Sequence, residues 1–512
     1  MRFLLGVLSL VLFLACSPQV KAPQSTTPQT SSPQLPFNVS FVPVSSLPAQ
    51  ALQSYAHAEE PTPDGQGVIS LLVGGRQPGV QTTKGGLHTF EGAPNQNFPQ
   101  NTFNNALLTL NPATGELHRF SLKLLPPEIA TALSVTNSEF YFDPQSNLLY
   151  IAGGYGWKAD GSDMATSDAL LSLNVPALIA EIQKVSPDPA KILAAIQITH
   201  DPAYKVTGGA LLNLNGQFFL VFGQVFDGQY RAFGGSDFFQ QYTESYRMFR
   251  LKAGTLDRIG AVSSVYYPQE QVQQAGHPFH RRDGNIVEDV SPNGTPRIIA
   301  LGGVFRPGII GAYVQPITIG ADGSYDVDTN FSQKFSQYEC PVLRFWSPAT
   351  QTVYRCLVGG IGNYWLHQSA AHAAAYQRVS KEKRNDGFPF VEDVAFQVET
   401  TSGTSEYVAT NPLPGQRLLG ASADFLELPS LRTSGLALPN GVLNLDQFPQ
   451  GKAILIGYIY GGIEADNPLP LVPNTGTHAT NEVMQVFLTK QPTPVISAEE
   501  GHQAIPTGQP HG

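Results

Sequence analysis

The sequence predicts an all-β chain made of six copies of a four-stranded unit, with a strand near the N-terminus completing the last sheet. Three observations carry that prediction. Gly (49) and Pro (41) are abundant in the 512 residues without a collagen-like period, aromatic residues stand at 10% and charged residues at only 14%, a mixture that suits many short strands joined by turns. Six apolar runs each end in glycine, namely ISLLVGG at Gly75, LLYIAGG at Gly154, FFLVFG at Gly223, RIIALGG at Gly303, VYRCLVGG at Gly360 and AILIGYIYGG at Gly462. Their unequal spacing reads as a repeat with insertions. Finally, the sixth copy supplies three strands before residue 490, while FNVSFVPVS (37–45) stands as a lone strand ahead of the first copy. Pairing the two removes a free sheet edge.

Taken in order, each glycine-ended run follows a turn signal: PDGQG, DPQSN, NLNGQ, SPNGT, SPATQT and the longer stretch from LPNGV to QFPQG. Each is followed by a third strand-like run: NNALLTLN, SDALLSLN, ESYRMFRL, GAYVQPITI, VEDVAFQV and NEVMQVFL. Fourth runs appear as HRFSLKLL, LDRIGAVS and SEYVATNP. PALIAEIQKV (176–185) has helical spacing and reads as a short surface helix. Residues 430–451 read as an insertion between the first two strands of the sixth copy, on the face opposite the other long loops. Those loops, 76–103, 155–166, 224–243, 361–389 and 463–480, share one face, the usual place for binding residues on a rigid scaffold.

The chain opens on Arg2, an apolar run over 3–15 and Cys16. The run is too short to span a bilayer and fits a secretory signal. Its ending, FLAC, resembles the bacterial lipoprotein signal, which implies a signal over 1–16 and lipidation of Cys16; a plain secretory signal with an incidental cysteine is the alternative. Residues 17–36 are a Pro/Ser/Thr tether, 37–490 the propeller-sized body, and 491–512 a disordered tail rich in Pro, Gly and His. The expected address is a bacterial cell envelope, with the lipid anchor holding the body on the periplasmic or surface-exposed side of the outer membrane. Acidic residues outnumber basic ones by 40 to 30, the net charge is −10, and no basic cluster exceeds KEKR (381–384). Nucleic acid is therefore excluded as an expected partner.

Cys340 and Cys356 flank the turn SPAT almost symmetrically, a candidate disulfide in an exported protein; two free core cysteines are the alternative. The densest polar cluster, His277, His280, Arg281, Arg282 and Asp283, sits at the head of the fourth copy's first strand. Strand alternation sets Arg281 and Asp283 on one side and His280 and Arg282 on the other. Arg281 is then the candidate to hold a carboxylate or phosphate, with a structural ion pair to Asp283 as its competing role. Other first-strand heads offer His57, Asn137, Glu139, Glu339 and Asp424, and the glycine runs are followed by Arg76 and by Tyr364 with Trp365. Together these suit a sugar or another small polar ligand, although aromatic residues after a glycine pair also pack between units. The 11 histidines are dispersed, and no short-spaced ligand pair with a supporting carboxylate stands out, so no metal is expected. Without a G-x-S-x-G elbow or a P-loop, no cofactor is expected and no catalytic residue is assigned.

Four strands per unit with a glycine pair after the second resemble the kelch repeat, and six units imply a six-bladed kelch-type β-propeller closed by the N-terminal strand. Several stretches are similar to a family of bacterial kelch-type lipoproteins of unassigned activity: LQSYAH (52–57), VGGR (73–76) with GGLH (85–88), TNSEFYFD (136–143), YIAGGYG (150–156), FHRRDGNIV (279–287) and IGYIYGGI (456–463). The resemblance implies architecture and address. The expected function is a non-enzymatic scaffold or binding module, monomeric in its body, whose long-loop face takes a protein partner or a glycan. The competing expectation is a sugar-processing enzyme similar to kelch mutarotases, with Arg281 holding substrate and Glu139, Asp424 or His57 moving protons.

Overall fold

The computed structural model describes residues 35–77, 98–230, 238–272, 276–304, 306, 311–362, 388–409, 412–466, 468 and 477–491. Six antiparallel sheets follow one another along the chain. Sheet one pairs Ala56–Pro61, Val68–Val73, Ala106–Asn111 and Glu116–Ser121 in that order; sheet two pairs Glu139–Asp143, Leu148–Ala152, Ala169–Asn174 and Ile196–His200. Sheet three is Ala210–Leu214, Gln217–Val221, Ser245–Phe249 and Ser263–Tyr266, and sheet four Asn285–Val290, Pro296–Leu301, Ile317–Gly320 and Tyr325–Val327. Sheet five runs through Val342–Ser347, Thr352–Val358, Val394–Thr400 and Gly403–Val408, with Leu443–Asn444 added in parallel beside its first strand. Sheet six consists of Asp424–Glu427, Ala453–Tyr460 and Val483–Lys490, and its fourth strand is Phe37–Pro43, in register from Phe37↔Lys490 to Pro43↔Met484.

Local chemistry accounts for these elements. The second strand of sheet one, VISLLV, is buried at every position, as a continuous apolar run requires when both faces are covered. In sheet three Asn215 (φ 55) and Gly216 (φ 78) make a two-residue turn with both residues left-handed, the type that matches strand twist. The glycine pairs have a different task. Gly75 N–H donates to Val135 O at 2.7 Å, Gly154 N–H to Val206 O at 2.8 Å, Gly360 N–H to Leu419 O at 3.0 Å, and Gly462 N–H to Leu52 O at 2.8 Å, each carbonyl belonging to the neighbouring unit. A Cβ on Gly153 would lie 2.1 Å from Val206 O, and one on Gly359 only 1.8 Å from Leu419 O. Backbone of the next unit occupies the space a side chain would need, so the pair has to be glycine. The bond from Gly462 to Leu52 links the last unit to the first.

The structure departs from the sequence reading in several places. The helix expected over 176–185 is present as Val175–Ile182, capped by the Asn174 side chain, which accepts from Ala177 N at 3.1 Å. Two more short helices, Pro127–Leu133 and Pro189–Ala194, lie in connections to which the sequence reading assigned no element. The fourth strand of sheet three falls later than LDRIGAVS because residues 251–258 close a small hairpin of their own, with Lys252 N–H donating to Asp257 O at 2.9 Å. The long loops supply a further four-stranded sheet, in which Tyr155–Trp157 and Met164–Thr166 join Gln224–Asp227 and Phe239–Tyr242. Cys340 and Cys356 are buried and free, not bridged. Register sets Cys356 opposite Leu343 and Phe396, while Cys340 lies ahead of the strand with its sulfur 3.7 Å from Gln337 O. Cys16, residues 17–34 of the tether, and the tail beyond residue 491 lie outside the described residues.

Candidate functional site

The first strands of the six sheets touch in chain order, sheet six against one, one against two, two against three, three against four, and four against five. All six contribute to the wall of one cavity of about 380 Å³. At the head of each first strand stands a residue with left-handed backbone: Ser54 (φ 51), Asn137 (49), Gly208 (71), Asp283 (53), Glu339 (48) and Ser422 (54). That conformation turns the chain so that five of the six N–H groups meet the carbonyl of a neighbour. Ser54 donates to Ser422 O at 3.1 Å, Asn137 to Ser54 O at 3.4 Å, Gly208 to Asn137 O at 3.3 Å, Asp283 to Gly208 O at 2.8 Å, and Ser422 to Glu339 O at 2.5 Å. Side chains then reach across: Asn137 Nδ2, from sheet two, donates to Glu339 Oε1 of sheet five at 3.0 Å, and Ser422 Oγ donates to Glu339 Oε2 at 2.5 Å. Burial, reinforced by the Asp283 charge, pushes Glu339 up to about 8.

Above this layer the wall alternates. His57, Phe140, Leu211 and Phe425 line it, and His57 Nδ1 lies 2.6 Å from Glu59 Oε1 with Nε2 3.9 Å from Asp424 Oδ1. Burial alone would lower His57, but the charge and hydrogen bond of Glu59, with Asp424 behind it, carry it up to about 9, so the ring is cationic at neutral pH. Glu139 accepts from Gly209 N–H at 2.7 Å through one oxygen while the other has no partner, and burial pushes it up to about 8 against that bond and the nearby Arg247 charge. Burial also raises Asp424, with the His57 charge opposing.

The far end carries Glu288, Arg344 and Glu427, each a five-residue step beyond its lead-in residue, 283 to 288, 339 to 344 and 422 to 427. Five residues of strand span roughly 16 Å. Burial lifts Glu288 and Glu427 to about 7 each, opposed by the Asn213 N–H at the first and by Arg432 and Arg344 at the second. Arg432 comes from the 430–451 insertion, on the helix Ser430–Thr433, and its Nη2 is 3.0 Å from Glu427 Oε2. The insertion is held by the parallel pairing of Leu443 with Phe345 and by Val442, buried with Val290 and Val353. Gly441 (φ 77) lets its backbone pass this cluster, since a Cβ there would lie 2.8 Å from Glu427 Oε2 and 2.9 Å from Arg344 Nη2.

Of the residues singled out from the sequence, His57, Asn137, Glu139, Glu339 and Asp424 line the cavity. Arg281 does not. Its guanidinium donates to three main-chain carbonyls, Pro278 at 2.6 Å, Gly302 at 3.0 Å and Gln315 at 2.7 Å, and lies 4.5 Å from the Tyr313 ring centre. Strand alternation misplaced it because the strand begins only at Asn285; residues 280–283 are irregular, and Asp283 alone of that cluster enters the wall. Arg76 is also buried away from the cavity, over the Phe98 ring at 4.2 Å with Nε donating to Thr102 Oγ1 at 3.3 Å. Tyr364 lies outside the described residues. Sequence reasoning passed over Glu59, Glu288, Arg344, Glu427 and Arg432. For the first four the available signal was the common five-residue step from the lead-in position; nothing local pointed to Arg432.

No family model matches the chain, and no curated protein matches it significantly. Among solved structures, that of YjhT is similar at 11% identity and a TM-score of 0.40, covering 85% of this chain and 99% of that one.

Proposed function

We propose that this chain is a closed six-bladed kelch-type propeller acting as a binding module, and that its central cavity takes a small polyhydroxylated ligand such as a glycan unit. The observation that carries the reading is the cavity, walled by all six first strands and offering carboxylates and His57 beside the Phe140 and Phe425 rings. Carboxylates accept hydroxyl hydrogens, aromatic faces receive the carbon face of a sugar, and the volume suits a small ligand. The six successive sheets, the bond from Gly462 to Leu52 and the pairing of Phe37–Pro43 with Val483–Lys490 support the closed ring. The loops expected to receive a protein partner lie largely outside the described residues, so the cavity carries the proposal. Isothermal titration of the full chain against a panel of mono- and disaccharides is the test: binding weakened by Asp424→Asn supports the reading, and silence across the panel removes it.

The membrane part of the proposal rests on residues 1–36 alone, with lipidated Cys16 as anchor and the bacterial envelope as address. Among the described residues no helix is long and apolar enough to cross a membrane. Replacing Cys16 with alanine is expected to release the full chain from the membrane fraction, and retention there would exclude the anchor. A second reading, a sugar-processing enzyme, is favoured by Glu139 and Glu339, which burial pushes up to about 8 and which therefore hold protons at neutral pH. Anomer exchange of free sugars followed by NMR, with and without protein, decides whether it stands.

A further inference from the structure

We infer that the cavity is selective for an organic cation, a ligand of monosaccharide size bearing a primary ammonium group, and that wall carboxylates, Glu139 foremost, receive the ammonium. The inference rests on the cavity reading above and narrows its ligand. Each positive group of the wall already has a partner, His57 in Glu59 at 2.6 Å, Arg344 Nη1 in Glu288 O at 2.5 Å and Arg432 Nη2 in Glu427 Oε2 at 3.0 Å, although Arg432 Nε is unpaired. Two carboxyl oxygens are unpaired as well. Glu139 and Glu427, 2% and 7% exposed, both line the cavity and each keeps one carboxyl oxygen without a hydrogen-bond partner. Asp424 adds a carboxylate that is 32% exposed in the same wall.

A buried acceptor left without a donor is costly, and a surplus of them selects for what enters. An ammonium brings three donors, a positive charge and no acceptor; beside Glu139 it favours the ionised carboxylate and takes the place of the proton that burial holds there, so it answers both the missing hydrogen bonds and the charge. A carboxylate or phosphate ligand would bring more acceptors and more negative charge to a wall already long in both. A neutral sugar supplies donors but leaves the charge unmet. The Phe140 and Phe425 rings, in the same stretch of wall, add the attraction of an aromatic face for a cation. Arg247 faces Glu139 from sheet three and Asp283 from sheet four, so its surroundings are mixed; its free oxygen sets it apart.

The experiment is titration calorimetry of the full chain at neutral pH and low ionic strength with three probes of one size: glucosamine, glucose and glucuronate. A charge-assisted hydrogen bond predicts glucosamine tighter than glucose by roughly 10-fold or more, and glucuronate the weakest. Glu139→Gln is expected to remove about that factor for glucosamine and to cost glucose less; if that variant fails to fold, Asp424→Asn is read by the same difference, a larger loss for glucosamine than for glucose. Glucose binding as tightly as glucosamine, glucuronate binding best, or a glucosamine affinity unmoved by the folded variant would each overturn cation selectivity and leave the cavity as a ligand site. Failure of all three probes to bind would overturn the cavity reading together with it.

Discussion

The two ends of the cavity are built by different means. At the lead-in end, residues from every unit adopt the same left-handed turn, main-chain bonds pass from unit to unit, and Asn137 and Glu339 join across the opening. At the far end the equivalent positions vary, three glutamates at Glu59, Glu288 and Glu427 beside Phe142, Asn213 and Arg344, and a segment from outside the repeat brings in Arg432. The repeat dictates structure where backbone meets backbone and leaves identity freer where side chains face the cavity.

The largest effect expected from this contrast is in stability. Gly359→Ala sets a Cβ 1.8 Å from Leu419 O at a φ of +63, and should cost ~3 kcal/mol or more in urea unfolding, whereas Gly451→Ala, also left-handed but with nothing within 4 Å, should cost ~1 kcal/mol. Equal losses would break the distinction. The next effect is on pH dependence. Glu139 and Glu339 rise from 4.5 to about 8 on folding, and His57 from 6.5 to about 9, so in those intervals the folded protein binds more protons than the unfolded chain. The stability these groups contribute is therefore present at low pH and lost as pH rises, through about 8 for the carboxyls and about 9 for His57. Melting temperature should fall between pH 5 and pH 9, and Glu139→Gln should flatten that fall; a slope unchanged in the variant would clear Glu139 of it. Asn137→Ala removes the bond across the lead-in end and leaves alanine at a φ of 49, for an expected loss of ~2 kcal/mol. The smallest change is expected at the far end. Arg432→Ala, losing a partly exposed pair with Glu427, should cost ~1 kcal/mol in stability, and its clearer signature would be altered ligand affinity by calorimetry.

How far the sequence revealed this follows the same division. The glycine-ended runs and turn signals mark strands whose form depends on neighbours in sequence, and the lone strand at 37–45 found its place because an unpaired edge is a local anomaly. His57, Asn137, Glu139 and Asp424 were legible because they stand within two or three residues of a conserved backbone device within this one chain, the left-handed turn. Arg281 and Arg76 were misread for a physical reason: charge in the sequence does not disclose that a guanidinium is consumed by carbonyls or stacked on a ring. Arg432 was invisible, since its position at the cavity depends on pairing between the insertion and sheet five. The short strands of the long loops, such as Tyr155–Trp157, escaped because each is only three or four residues long and their two hairpins are joined into one sheet by a pairing between units, Asp227 with Ala165.

The pairing of Phe37–Pro43 with Val483–Lys490 fixes an order of events in folding. The earliest described strand to leave a ribosome finds its partner more than 400 residues later, so the sixth sheet cannot assemble until Val483–Lys490 has been made. Contacts this distant in sequence are slow to form. A nascent or truncated polypeptide ending before Val483 keeps an open strand edge at Phe37–Pro43, and emergence of Val483–Lys490 itself becomes the signal that lets the sixth sheet form.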